Sequence, residues 1–276
     1  MIAKAFSPGN VSCIFRIIDN KDKGKRHSLG VGFTVDKGVI VSVKKSKKTS
    51  IYSNGIKIKL PTVLTVIKSL TNKPVRVDIK QQLPSGAGFG ISGASALATA
   101  YAMNKLLGLR KRDKELAMVA HMAEALNGTG LGDVGGQFNG GFNAKFKKGQ
   151  PLEVVPLGIK NKKIYYQFFS KINTKDVIDS KKAGIKINKA GDKALNRVKG
   201  LIKDKKINLK NIIKISKEFS VNSGLLRDKK VINLIKKIEH KGGNASMIML
   251  GNAVFSDIPF EGSKMVKIST KKACLL

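Results

Sequence analysis

The sequence predicts an α/β chain of two domains, and three observations carry that reading. At 276 residues with 42% hydrophobic composition, the chain fits one large domain or two of ordinary size and can bury a substantial core. Strand-like and helix-like segments recur in both halves. From about Gly149 the pattern shifts toward Lys-rich helices, which puts a boundary near residue 155 and divides the chain into 1–155 and 156–276.

Along the chain, residues 4–18, 31–45, 49–60 and 74–83 alternate or run apolar between Gly and Asn-Gly turns, as strands do. Residues 92–109 contain strong helix formers and stop at Gly108. Asp113 is expected to cap a second helix, 113–128, with Leu116, Val119, Ala123 and Leu126 as its apolar stripe. A loop over 129–141 leads to a strand at 142–149. The second half reads as a strand at 163–169, helices at 190–203, 209–219 and 228–241, the glycine-flanked segment 242–256 and a strand near 264–270.

Composition narrows the class. The formal net charge is +35, but only seven of the 53 basic residues are Arg, and aromatics are 6%. Arg supplies bidentate contacts and aromatics supply stacking platforms, so nucleic acid is expected only as a nonspecific polyanion. Cys13 and Cys274 sit far apart with no C-x-x-C, which argues against a disulfide framework or a zinc site. No apolar run reaches 18 residues and the N-terminal segment lacks signal-peptide features, so no membrane partner and a cytoplasmic location are expected. A homodimer is left open.

The stretch LPSGAGFGISGASAL, 83–97, holds the strongest motif. Gly88, Gly90 and Gly93 spell G-x-G-x-x-G, yet helix follows helix where a dinucleotide fold needs a second parallel strand. The P-loop spacing fails because Ala94 stands where its lysine belongs. What remains is a phosphate cradle: glycines that let backbone approach a ligand, at the N-terminus of a helix beginning near Ser92. The loop is expected to lie at the surface and bury little apolar area. His121 and Glu124 share a helix face at i, i+3, and Asp133 follows in a loop. Phosphoryl transfer from Mg-ATP needs such a cradle, oxygen ligands for Mg²⁺ and a carboxylate at the attacking hydroxyl.

The segments SPGNVS at 7–12, PSGAGFGISGASAL at 84–97 and GGNASMIMLGN at 242–252 are similar to the three signatures of the GHMP kinases. Within that superfamily, the segments 86–97, 120–141 and 242–255 most resemble the archaeal pantoate kinases, with resemblance spanning nearly the whole chain. The resemblance implies a two-domain GHMP kinase fold: an N-terminal domain like ribosomal protein S5 domain 2 and a C-terminal α/β sandwich. It implies ATP and Mg²⁺ as cofactors and pantoate as substrate, for coenzyme A synthesis. Carried over by position, Pro84, Gly86, Ala87, Gly88, Phe89, Gly90, Ser92 and Gly93 surround the ATP phosphates. The same resemblance implies that Ser92 and Glu124 would hold Mg²⁺, that Asp133 would be the catalytic carboxylate, and that Ser28, His121 and Lys145 would meet the substrate. Departures are Ile91 for the first serine of a usual pair, Asn10 for a basic residue, Lys145 for an expected Arg, and few glycines in the third motif. Other substrates of the superfamily (mevalonate, a mevalonate phosphate, homoserine) are the alternative, as is a catalytically idle relative that binds nucleic acid.

Overall fold

A computed structural model describes residues 1–172 and 174–276. Strand β1 (Ile2–Ile18) and strand β2 (His27–Lys45) form a long antiparallel hairpin, in register from Ile2↔Lys44 to Ile18↔His27. Two register irregularities interrupt β1, between Pro8 and Asn10 and between Ser12 and Ile14. Bulges of this kind re-aim side chains, and these two flank Asn10 and Ser12, both of which enter the site described below.

Strands β3 (Ser50–Ser53) and β4 (Ile56–Lys57) lead into helix α1 (Pro61–Leu70) and strand β5 (Val75–Gln81). β3 and β5 pair in parallel, so β3–α1–β5 is a crossover unit. The sequence reading of 49–60 and 74–83 as strands holds, but α1 between them is an addition. Its Thr- and Val-rich composition hides a helical burial pattern of Thr62, Val63, Val66, Ile67 and Leu70, and Pro61 occupies the first turn, where a missing N–H costs nothing.

Helix α2 (Ile91–Leu107) runs between Gly90 and Gly108, both left-handed. Alanines cover it on every side and nearly all its residues are buried, as befits a central helix packed on β1, β2 and three neighbouring helices. Helix α3 (Asp113–Asn127) differs from expectation in two respects. Asp113 is its first residue rather than its cap, and Glu115 accepts a hydrogen bond from the Arg112 N–H at 3.0 Å. The buried face is Leu116, Ala117, Ala120, His121, Ala123 and Glu124, whereas Leu126 is exposed and Val119 only half-buried. Leu116 and Ala123 of the expected stripe thus face inward, but they share that face with the polar pair His121 and Glu124. The expected loop 129–141 contains helix α4 (Asp133–Asn139). Strands β6 (Phe142–Lys145) and β7 (Val155–Pro156) then join the first sheet.

The first sheet runs β12-β1-β2-β5-β3-β4, with β12 (Cys274–Leu275) on the outer edge of β1 and β6 beside the early part of β2. The chain end is therefore sewn into the first sheet. A second, antiparallel sheet has the order β11-β8-β10-β9, built from β8 (Lys163–Lys171), β9 (Ala245–Met247), β10 (Gly251–Ser256) and β11 (Lys264–Lys267). Between β8 and β9 come helices α5 (Thr174–Ile178), α6 (Lys181–Lys203), α7 (Leu209–Asn222) and α8 (Lys229–His240). α7 and α8 cover the second sheet, while α6 and α7 also reach β1, where Phe15 meets Phe219 edge-on at 5.5 Å. The Phe33–Phe255 ring contact joins the two sheets, the Phe89–Tyr166 contact ties the glycine loop to the second sheet, and one continuous hydrophobic cluster runs through both sheets. Among the described residues no helix is long and apolar enough to cross a membrane.

Candidate active site

Three segments meet where the two sheets adjoin: the glycine loop before α2, the turn between α3 and α4, and the middle of β1. Gly86, Gly88 and Gly90 have φ of 79°, 82° and 59°, the left-handed region that only glycine enters cheaply. The loop lines the surface of a cleft, but it buries more apolar area than expected. Ala87 and Phe89 are buried, and a Cβ on Gly88 would stand 2.6 Å from both the Met249 carbonyl and the Ile248 side chain. The turn of the third glycine segment thus clamps the loop from behind. Gly90 caps α2, and Ala94 N bonds to its carbonyl at 3.0 Å, so the N–H groups of Ile91, Ser92 and Gly93 lack an intrahelical acceptor. Free N–H groups and the positive end of a long helix make an anion site.

Gly93 is helical, and its lack of a side chain serves another purpose. A Cβ there would lie 3.0 Å from Glu124 Oε2 and 3.1 Å from Gln137 Oε1. A Cβ on Gly90 would lie 2.7 Å from the Asp133 carboxyl carbon. Two carboxylates therefore press against the first turn of α2.

Glu124 is 1% exposed; its Oε1 accepts from Thr129 Oγ1 at 2.6 Å, while Oε2 is buried without a hydrogen-bond partner. Burial, reinforced by the Asp133 charge, pushes its carboxyl up to about 7, against the pull of the Thr129 and Ser92 hydroxyls. Asp133 opens α4; its Oδ1 accepts from Asn10 Nδ2 at 2.8 Å and from Ser12 Oγ at 3.4 Å. Burial raises its carboxyl above the ordinary value, with Asn10, Lys145 and Ser12 opposing. Lys145, buried on β6, donates to the Gly132 carbonyl at 2.9 Å, and burial lowers its ammonium to about 8.

A cleft of about 350 Å³ is lined by Ser85, Gly86, Gly88, Gly90, Ser92, Thr129, Gly130 and Asp133, together with Ile172, Thr174, Lys175, Ile178 and Met249. A smaller pocket adjoins it, sharing Ser12, Phe15, Ser28 and Gly132 and lined further by Asn10, Asn143 and Lys145. Asp133 stands where the two meet.

The fold thus brings together Ser92, Asp133, Ser28 and Lys145, from separate elements, on the walls of cleft and pocket, with Glu124 buried directly behind Ser92. His121 is not on the cleft wall. It is 2% exposed on the inward face of α3, its Nε2 is unpartnered, and burial with the nearby Lys145 charge lowers it to about 4, so it is neutral at ordinary pH. Pro84 and Ala87 likewise belong to the loop's framework rather than to the lining. Sequence reasoning passed over Thr62, Thr129, Ser12 and Gln137. Gln137 donates to the Gly90 carbonyl at 2.7 Å and so fixes the helix cap. No local pattern marks these residues, since each works through a partner on a distant segment.

The donor set fits a hard divalent cation. Glu124 Oε2 is a buried oxygen in need of a partner, and Ser92 Oγ is the neighbouring hydroxyl. Among the described residues no three His, Cys, Asp or Glu side chains cluster as a metal cage. Mg²⁺ keeps most of its shell as phosphate and water, so two protein oxygens are enough to hold it.

Residues 58–141 match the family described as "GHMP kinases N terminal domain". The chain is 34% identical over 257 residues to the pantoate kinase of Methanocaldococcus jannaschii, covering 91% of this chain and 90% of that one. The chain belongs to the GHMP kinases, and is accordingly an ATP-dependent small-molecule kinase. A second archaeal relative, the pantoate kinase of Thermococcus kodakarensis, is 28% identical with 97% and 91% coverage. By contrast, the mevalonate kinase of Pyrococcus furiosus matches over only 20% of this chain. In fold, the chain is similar to a solved structure described as a phosphotransferase related to the CoA biosynthesis pathway, with a TM-score of 0.84, 24% identity and coverage of 100% and 98%.

Proposed function

We propose that this chain transfers the γ-phosphoryl group of ATP to the primary hydroxyl of pantoate, giving 4-phosphopantoate for coenzyme A synthesis. The supporting observation is the continuity of cleft and pocket: an anion-binding glycine loop at one side, a buried lysine at the other, and Asp133 between them. Relatives over about nine-tenths of the chain are pantoate kinases, which selects the substrate within the family.

In this reading the glycine loop and the first turn of α2 hold the triphosphate through backbone N–H groups. Ser92 Oγ and Glu124 Oε2 would hold Mg²⁺, which when bound with ATP offsets the charge on the phosphates. Lys145 meets the substrate carboxylate as a point charge, with the Ser28 hydroxyl beside it, and neutral His121 shapes the pocket from behind. Asn10 and Ser12 engage Asp133 Oδ1, which leaves Oδ2 for the substrate hydroxyl. As the hydroxyl oxygen bonds to the γ-phosphorus, the bond to the β-phosphate oxygen breaks. The hydroxyl proton passes to Asp133 and ADP leaves. A carboxylate of raised proton affinity is suited to that role.

In the same reading, 1–155 and 156–276 are the two domains, with the cleft at their junction, and the protein works in the cytoplasm. One chain contains every residue named, so a homodimer would add nothing to the chemistry. Measuring ADP release with pantoate, mevalonate and homoserine, with the product identified by mass, tests the substrate. Turnover on pantoate far above the other two is expected; turnover on mevalonate or homoserine alone would overturn it.

A further inference from the structure

Behind Ser92 and Glu124 lies a chain of hydroxyls that the reaction as described does not use. Ser92 Oγ donates to Thr62 Oγ1 at 3.1 Å, Thr62 and Thr129 Oγ1 stand 3.0 Å apart, and Thr129 Oγ1 donates to Glu124 Oε1 at 2.6 Å. Thr62 is fully buried in the first turn of α1, far in sequence from the segments it joins. A second link, Asn127 Nδ2 to Thr65 Oγ1 at 3.0 Å, holds α1 against the end of α3 beside it.

We propose that Thr62 and Thr129 form a one-way hydrogen-bond relay that positions Ser92 and Glu124 together, so that Ser92 presents lone pairs rather than its proton to the cleft. This rests on the reading of Ser92 and Glu124 as the pair that holds the metal.

The direction follows from proton counting. Each hydroxyl has one hydrogen to give and two lone pairs to accept with. The shortest link spends the Thr129 hydrogen on Glu124 Oε1. Thr129 is then only an acceptor toward Thr62, so Thr62 must donate to it. Thr62, its hydrogen spent, can only accept from Ser92. Should Ser92 turn its hydrogen to Glu124, whose charged form it also stabilises, that hydrogen still points into the protein. The order survives protonation of Glu124, because the added proton has the unpartnered Oε2 to occupy and Oε1 remains an acceptor. A phosphate oxygen needs a donor, whereas a cation needs lone pairs. The relay makes Ser92 fit the second and not the first, and it couples the aim of that oxygen to the carboxylate that would share the ion. Thr62 and Thr129 are thus positioning residues, acting through the two side chains they hold.

The test uses the whole chain with Mn²⁺ as probe. Mn²⁺ binding to the enzyme–ADP complex is measured by electron paramagnetic resonance, ADP binding without metal by calorimetry. Thr62→Val keeps the shape and removes the hydroxyl; it should weaken Mn²⁺ binding about tenfold, the usual scale for a group that orients a metal ligand. Metal-free ADP affinity should stay within about twofold, and Thr62→Ser should restore Mn²⁺ affinity. Thr129→Val, at the half-exposed end of the relay, provides the same readout if Thr62→Val fails to fold. A parallel loss of metal-free ADP affinity, or no rescue by Thr62→Ser, would assign Thr62 a packing role and overturn the relay. Ser92→Ala and Glu124→Gln separate the two levels: if both weaken Mn²⁺ binding while Thr62→Val and Thr129→Val do not, only the relay is wrong. If neither does, the metal reading falls and takes the relay with it.

Discussion

Replacing Glu124 by Gln should stabilise the metal-free protein, and by an amount that depends on pH. Burial lifts the Glu124 carboxyl from its ordinary 4.5 to about 7. Between those values the folded chain binds a proton that the unfolded chain has released, so stability falls as pH rises and the loss is complete above about pH 7. A shift of that size corresponds to about 3 kcal/mol. The glutamine amide has nearly the same shape as the carboxyl it replaces, can still accept from Thr129, and carries no charge to desolvate. Urea unfolding in the presence of EDTA, at pH 5 and at pH 8.5, measures the effect as the difference between variant and wild type. That difference cancels groups common to both proteins, including His121, whose lowered value works in the opposite sense. The variant's advantage should be about 1 kcal/mol at pH 5 and about 3 kcal/mol in the alkaline arm. A difference independent of pH would refute the account of Glu124 as a buried carboxylate waiting for a cation. The same variant should need more Mg²⁺ for half activity, so the stability lost to Glu124 is the counterpart of its use.

Three further outcomes are expected. Asp133→Asn should retain ATP binding by calorimetry and lose at least about a hundredfold in kcat, the usual scale for a general base; near wild-type turnover would move that role elsewhere. Lys145 loses its charge above about pH 8 in the free enzyme, so the KM for pantoate should rise on the alkaline side. Lys145→Met should raise KM and flatten that rise, and an unchanged profile would detach Lys145 from the substrate. Gly88→Val would disturb the clamp on Met249 as well as the cradle, so Gly86→Ala is the cleaner probe: φ is 79° and the atoms nearest its Cβ would be methylenes of the Lys171 side chain, which must shift to admit it. Left-handed strain of about 1 kcal/mol should weaken ATP binding roughly fivefold with little change in melting temperature, and unaltered affinity would show that the loop does not hold the phosphates.

Local chemistry in the sequence determined a good deal by itself. Glycine needs no partner to announce a left-handed backbone, so the loop at Gly86, Gly88 and Gly90 and the stops of α2 and α3 at Gly108 and Gly128 were legible from residue type alone. Periodicity likewise exposed the long strands and the Lys-rich helices, because one face of each must meet a core whatever lies opposite. What only tertiary structure decided is which polar residues meet. α1 escaped notice because β-branched residues suit strand and helix burial alike. On α3 the apolar-stripe rule found Leu116 and Ala123 but not the rotation of the buried face, because Glu124 and His121 point inward to a site built from elsewhere. Asn10 reaches Asp133 across 123 positions, and Thr62 reaches Thr129 across 67. Hydrogen bonds of that span leave no period or spacing in the chain, since their partners are neighbours only after the sheets have closed on one another.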